Sequence, residues 1–185
     1  MNDTVWAGLL PLKAKWHTAP VAVESPWVCN AHGRHGEPLW PTGVIGSITH
    51  ANGYRTVAIA PNDEVSAMGI DMEPLVPLAP AVWQRLFDAA EIDELLALPV
   101  LQRGADALAR WCLKEALFKA LRGRIPIDDM SLCRKGDAWR PAPVLCSKLE
   151  ALGHVPERFD LRSEAENGWQ YAAAWLCSIS SSNRN

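Results

Sequence analysis

No run of apolar residues in this 185-residue sequence comes near the roughly 20 needed to cross a bilayer; the longest, 171–177, has the length of a strand. The five cysteines (Cys29, Cys112, Cys133, Cys146, Cys177) are odd in number, scattered, and contain no Cys-x-x-Cys pair. That excludes a disulfide framework or a structural zinc site and points to a reducing compartment. Basic residues are not in excess: the net charge is -3, so the dense cationic surface of a general nucleic-acid binder is missing. Residues 1–12 have an acid and no basic cluster ahead of their apolar stretch, so they do not read as a secretory signal. Phenylalanine and tyrosine are scarce, three and two against nine tryptophans, and the tryptophans follow no regular spacing. They read as packing residues rather than a base-stacking platform. What remains, 49% hydrophobic and 21% charged, is the composition of a globular chain forming one domain or two small lobes. The expected location is cytoplasmic.

Prolines 11, 20, 26, 38 and 41 interrupt every candidate helix in residues 1–40, leaving an irregular stretch with at most a short strand at 21–23. Strand-prone runs follow at 44–50, 54–60 and 65–73, separated by Asn52-Gly53 and Pro61-Asn62-Asp63, which predicts an antiparallel meander. A helix is predicted over 80–98, with Val82, Leu86, Ala89, Ala90 and Leu96 near one face and Glu91, Asp93 and Glu94 toward solvent. A stronger helix runs over 104–122 and stops at Gly123. Further strands are expected at 132–139, 159–162 and 169–177, with a frayed tail from 178. The class is α+β.

Three segments can carry chemistry. In Gly69-Ile70-Asp71-Met72-Glu73, strand alternation puts Asp71 and Glu73 on one face. Such a pair is either a solvated acidic face or a site for a hard dication such as magnesium or manganese. In the 104–122 helix, apolar residues occupy nearly the whole circumference around Glu115, so this carboxylate sits at the margin of a core with Lys119 one turn on. It is either a plain pair with Lys119 or a third carboxylate for the same cation. Gly46-Ser47-Ile48-Thr49-His50 presents hydroxyls and an imidazole at a strand end, as structural hydrogen-bonders or as donors to phosphate oxygens.

In order and spacing, Trp40-Pro41-x-Gly43-x-x-Gly46-Ser47-Ile48-Thr49-His50, Gly69-Ile70-Asp71-x-Glu73 and Trp111-x-x-Lys114-Glu115-Ala116-x-x-Lys119-Ala120 resemble the signature segments of the 4′-phosphopantetheinyl transferases. The resemblance is to the larger Sfp-like class, of enterobactin synthase component D type, and extends from about Gly36 to Cys177. It implies one domain over 1–185 with an α+β fold of two small pseudo-symmetric lobes, antiparallel strands with packed helices, and the first lobe shortened. It also implies transfer of the phosphopantetheine arm of coenzyme A, the substrate, to a serine of an apo acyl or peptidyl carrier protein, with release of 3′,5′-ADP. Asp71, Glu73 and Glu115 would surround Mg²⁺, and Thr49 and His50 would bind phosphate oxygens. Lys119 would contact the attacked phosphate and Lys114 would help at the phosphate or carrier side. Glu115 and Lys119 are the expected catalytic pair, Glu115 taking the serine proton. The setting would be siderophore or other secondary-metabolite biosynthesis, the expected state a monomer. Before Gly36 the only cations are Lys13, Lys15 and Arg34, so the basic helix such proteins use for the adenosine 3′-phosphate is not visible. The alternatives are a non-catalytic coenzyme A or carrier-binding module, whose docking edge would be Arg122, Arg124, Arg134 and Lys135, and another metal-dependent phosphate hydrolase.

Overall fold

The computed structural model describes residues 5–9, 20–21 and 38–178. Strands β3 (Val44–Ala51) and β4 (Tyr54–Pro61) form the expected hairpin, in register from Val44 opposite Pro61 to Ala51 opposite Tyr54. Its turn needs two left-handed residues, and Asn52 (φ 48°) and Gly53 (φ 81°) supply them. Beyond β4 lie β1 (Val5–Leu9), parallel to it, and β2 (Pro20–Val21), antiparallel to β1. The sequence reading found no strand at 5–9 and expected antiparallel pairing only. A parallel partner some fifty positions away leaves no local turn signal to read. The strand expected at 21–23 coincides with β2 at Val21; residues 22–23 lie outside the described residues, as do 179–185.

The meander ends at β4. Strand β5 (Val65–Pro74) joins a second sheet of order β5-β9-β8, with β8 (Phe159–Glu166) and β9 (Trp169–Cys177) forming a hairpin through Asn167 and Gly168. The reason is burial: Ala67 to Met72 are buried without interruption, so β5 must be covered on both faces. Met68 and Ile70 enter a core with Ala58, Ala60 and Trp175 between the sheets. Ala67 enters the main core with Leu113, Leu117, Phe159 and Ala174. On the edge away from β9, side chains replace a strand ladder. The Ile70 amide donates to Ser47 Oγ (3.0 Å), and the Thr56 hydroxyl donates to Met72 Sδ (3.2 Å).

The helix expected over 80–98 is broken. A 3₁₀ turn (Pro80–Val82) leads into α1 (Trp83–Leu86); Phe87 is extended, and α2 (Ala89–Ala97) starts afresh. Asp88 accepts from the Glu91 amide while Glu91 accepts from the Asp88 amide, a capping box that favours a new start over continuation. Glu91, expected in solvent, is 2% exposed. Helix α3 (Val100–Ala120) begins four residues before the expected start, directly after Pro99; past its end Arg122 (φ 52°) and Gly123 (φ 68°) are left-handed, and the Gly123 amide bonds Phe118 O at 3.0 Å. The strand expected at 132–139 is a hairpin of β6 (Leu132–Lys135) and β7 (Ala138–Pro141) turning at Gly136. Helix α4 (Pro143–Ala151), not anticipated, seats Leu145 and Leu149 in the main core. Trp83, Trp139 and Trp175 are buried, in keeping with a packing role.

One contact sets the distance between α3 and β5. A Cβ on Gly69 would overlap the Ala116 carbonyl and stand 2.5 Å from the Ala120 amide nitrogen. Helix backbone therefore lies directly on strand backbone. Gly69→Ala should push α3 away and cost about 2 kcal/mol, as overpacking does, read as a lowered urea midpoint at unchanged slope.

Candidate active site

The register of β5 puts Ala67, Gly69, Asp71 and Glu73 on the face toward α3. The bare Gly69 lets the last turns of α3 settle there, so Cys112, Glu115 and Lys119 (spaced three and four apart, one side of the helix) meet the carboxylates. Lys119 Nζ donates to Asp71 Oδ1 at 2.8 Å, to Ile70 O at 3.1 Å and to Thr49 Oγ1 at 3.3 Å. Thr49 Oγ1 donates to the same Asp71 oxygen at 2.9 Å. One buried carboxylate thus ties together β3, β5 and α3, over sequence separations of 22 and 48. Asp71 Oδ2 is buried without a hydrogen-bond partner.

Glu73 and Glu115 border this core half-buried. Burial pushes both carboxyls above the usual carboxylate range, and the charge of Asp71 adds to the rise in each, against the opposing pull of Lys119. Glu73 is raised further by Glu115 and lowered by exposed His50, so Glu73, Asp71, Lys119, Glu115 and His50 share one electrostatic neighbourhood. Cys112, fully buried against Asp71, is a neighbour that sequence reading passed over. Burial first, then Asp71 and Glu73, drive its thiol strongly upward, so it stays neutral. Its signal was position alone, one turn before Glu115.

The structure brings together Thr49, Asp71 and Lys119 by direct contact, with Glu73, Glu115 and His50 around them. Lys114 is a correction. Its ammonium is 1% exposed and bonded to Glu91 Oε2 (2.7 Å) and Leu86 O (2.8 Å), in the helical cluster and not at the carboxylates. The helix supplies the reason: Lys114 points about 100° from Glu115 and about 140° from Lys119.

Among the described residues no three ligating side chains stand close enough to hold an ion as they are. The chemistry nonetheless suits a hard dication. Three carboxylates face one ammonium, two of them pushed toward protonation, and Asp71 keeps an unused buried oxygen. Asp71, Glu73 and Glu115 are the residues that could hold Mg²⁺.

With that geometry established, likeness to known proteins is informative. The model of the 4′-phosphopantetheinyl transferase superfamily matches residues 67–155, and that of the 4′-phosphopantetheinyl transferase N-terminal domain matches residues 19–60. The chain belongs to the 4′-phosphopantetheinyl transferase superfamily. It is 35% identical over 107 residues to the 4′-phosphopantetheinyl transferase Npt of Nocardia iowensis, covering 51% of this chain and 42% of that protein. To PptT of Mycobacterium tuberculosis it is 35% identical over 112 residues, covering 56% and 47%. To Svp of Streptomyces mobaraensis it is 38% identical over 90 residues, covering 48% and 36%. The matches thus span less than half the length of these curated relatives. The holo-[acyl-carrier-protein] synthase of Neisseria meningitidis overlays 60% of this chain and 98% of its own at 18% identity and a TM-score of 0.48, too loose a likeness to build on.

The raised carboxyls carry a sign that can be tested. A group whose folded pKa lies above its unfolded value contributes fully below the unfolded value and loses that contribution as pH rises through the folded one. The charged forms of Glu73 and Glu115 therefore burden the metal-free fold. Replacing both by Gln should raise the melting temperature relative to wild type by a margin that grows from about pH 4 to about pH 7. MgCl₂ should raise the melting temperature of wild type near pH 7 and have little effect on the double variant, both read by thermal denaturation.

Proposed function

We propose that this chain transfers the 4′-phosphopantetheine arm of coenzyme A to a serine hydroxyl of an apo carrier protein and releases 3′,5′-ADP. What carries the reading is the convergence of three signature segments on one buried carboxylate: Thr49 and Lys119 lie 2.9 and 2.8 Å from Asp71, beside Glu73 and Glu115. Superfamily membership and the named relatives support it. The order of the motifs favours the Sfp-like subtype, and the scattered cysteines a reducing, cytoplasmic setting. Among the described residues no helix is long and apolar enough to cross a membrane.

Asp71, Glu73 and Glu115 would hold Mg²⁺, which would supply positive charge for the coenzyme A pyrophosphate. His50, at the end of β3, donates to phosphate oxygens, and Thr49 does so by turning its one hydroxyl proton away from Asp71 Oδ1. Lys119 is held by Asp71, Thr49 and the Ile70 carbonyl, so its charge is already in place to meet the negative charge on the oxygens of the attacked phosphoryl group. The serine oxygen forms the new P–O bond as the bond from that phosphorus to the bridging pyrophosphate oxygen breaks. The electron pair leaves with 3′,5′-ADP, and the serine proton passes to Glu115, directly or through water. With no ion bound, partial burial raises the basicity of that carboxylate.

Mass spectrometry of apo carrier proteins incubated with coenzyme A and Mg²⁺ should show the gain of one phosphopantetheine, with 3′,5′-ADP released only when the carrier is present. Release without a carrier would favour a hydrolase. Glu115→Gln should lower carrier loading by roughly 10²–10⁴-fold while coenzyme A still binds by titration calorimetry; near-normal loading would remove Glu115 from the proton transfer.

A further inference from the structure

On the side of α3 away from the candidate active site lies a second ionic cluster, built very differently. Glu91, 2% exposed, accepts on both oxygens: Oε2 from Lys114 Nζ (2.7 Å) and the Asp88 amide (3.1 Å), Oε1 from the Leu132 amide (3.0 Å), with Arg110 3.7 Å away. Arg110, 1% exposed, reaches Glu94 (2.7 Å) and the Leu132 carbonyl (2.7 Å). Asp88 caps α2 through one oxygen and accepts from the Ser131 hydroxyl through the other. Lys114 also packs on the Phe87 ring and Arg110 on Trp139. The N-terminus of α2, the start of β6 and the middle of α3 are therefore joined through one carboxylate whose oxygens are both used.

We propose that Glu91 and Lys114 form a clamp that fixes the rotation of α3 about its axis, making Lys114 a positioning residue for the reaction proposed above and not a contact of coenzyme A. Arg110 and Lys114 are one helical turn apart and hold one stripe of α3. Glu115 and Lys119, about 100° and 140° round from Lys114, are carried by the same rigid cylinder. An ion pair this buried has its directions set by several hydrogen bonds, so the helix cannot roll without leaving a charge unpartnered. Small errors in aim are costly in group transfer, which gives the clamp its functional consequence.

The test is a thermal and kinetic cycle on the full chain with Lys114→Met, Glu91→Gln and the double variant. Lys114→Met alone strands a buried carboxylate and should lower the melting temperature by roughly 10 °C. Glu91→Gln/Lys114→Met removes both charges and should recover about half of that loss or more. With a carrier and coenzyme A, the double variant should keep the KM for coenzyme A within about threefold and lose about tenfold in kcat, the split expected when aim and not binding is impaired. A double variant no more stable than Lys114→Met overturns the clamp. A tenfold or greater rise in the coenzyme A KM makes Lys114 a ligand contact, and a wild-type kcat denies it a positioning role. The melting cycle needs no substrate, so a wild-type chain that loads no carrier would overturn the transferase reading while the cycle still decides the clamp.

Discussion

The absence of a side chain at Gly69 is where strand β5 and helix α3 come into backbone contact, and the site depends on that contact. With a Cβ there, the Ala116 carbonyl and the Ala120 amide could not keep their places. With none, Lys119 crosses the open edge of β5 to bond the Ile70 carbonyl and the Asp71 carboxylate together. The same strand edge takes Ser47 and Thr49 from β3, so side chains join the first sheet to the second where a ladder would otherwise run. A strand covered on both faces can carry an acid into the interior only if a partner is held ready for it, and α3 supplies that partner.

Two ionic clusters flank the same helix, and their difference is physical. Around Glu91 both carboxylate oxygens are occupied, and cations alternate with acids through Lys114, Arg110 and Glu94. Around Asp71 one oxygen is used twice and the other not at all, and two neighbouring acids are pushed toward protonation. The Glu91 carboxylate has no acceptor oxygen left over, while Arg110 Nε and Asp106 Oδ2 at the edge of its cluster are buried without partners. An acidic cluster with an idle buried oxygen is where an added positive charge would be most favourable.

Local rules carried the sequence reading where structure is local. The β3–β4 hairpin followed from an Asn-Gly turn whose left-handed backbone those residues accept. The alternation of Asp71 and Glu73 against Ile70 and Met72 followed from strand geometry, and Gly123 from the needs of a helix end. Failures came where distant partners decide. Glu91 looks like a solvent-side acid on an amphipathic helix, because nothing in its own segment reveals that Lys114 and Leu132 will arrive to accept its burial. Strand β1 pairs in parallel across a long separation, and β5 leaves its hairpin neighbours because both of its faces need cover.

The sequence by itself determined the α+β class, most strand positions and the three segments whose residues belong to the candidate site, since turn chemistry, periodicity and motif spacing are written in consecutive residues. Only the tertiary structure decided that Asp71 is the meeting point of Thr49 and Lys119, that Lys114 faces the opposite way, and that Cys112 lies beneath the carboxylates. Those facts depend on how far a helix can approach a strand and how it is turned about its axis, and such quantities are set by contacts between residues remote in the chain.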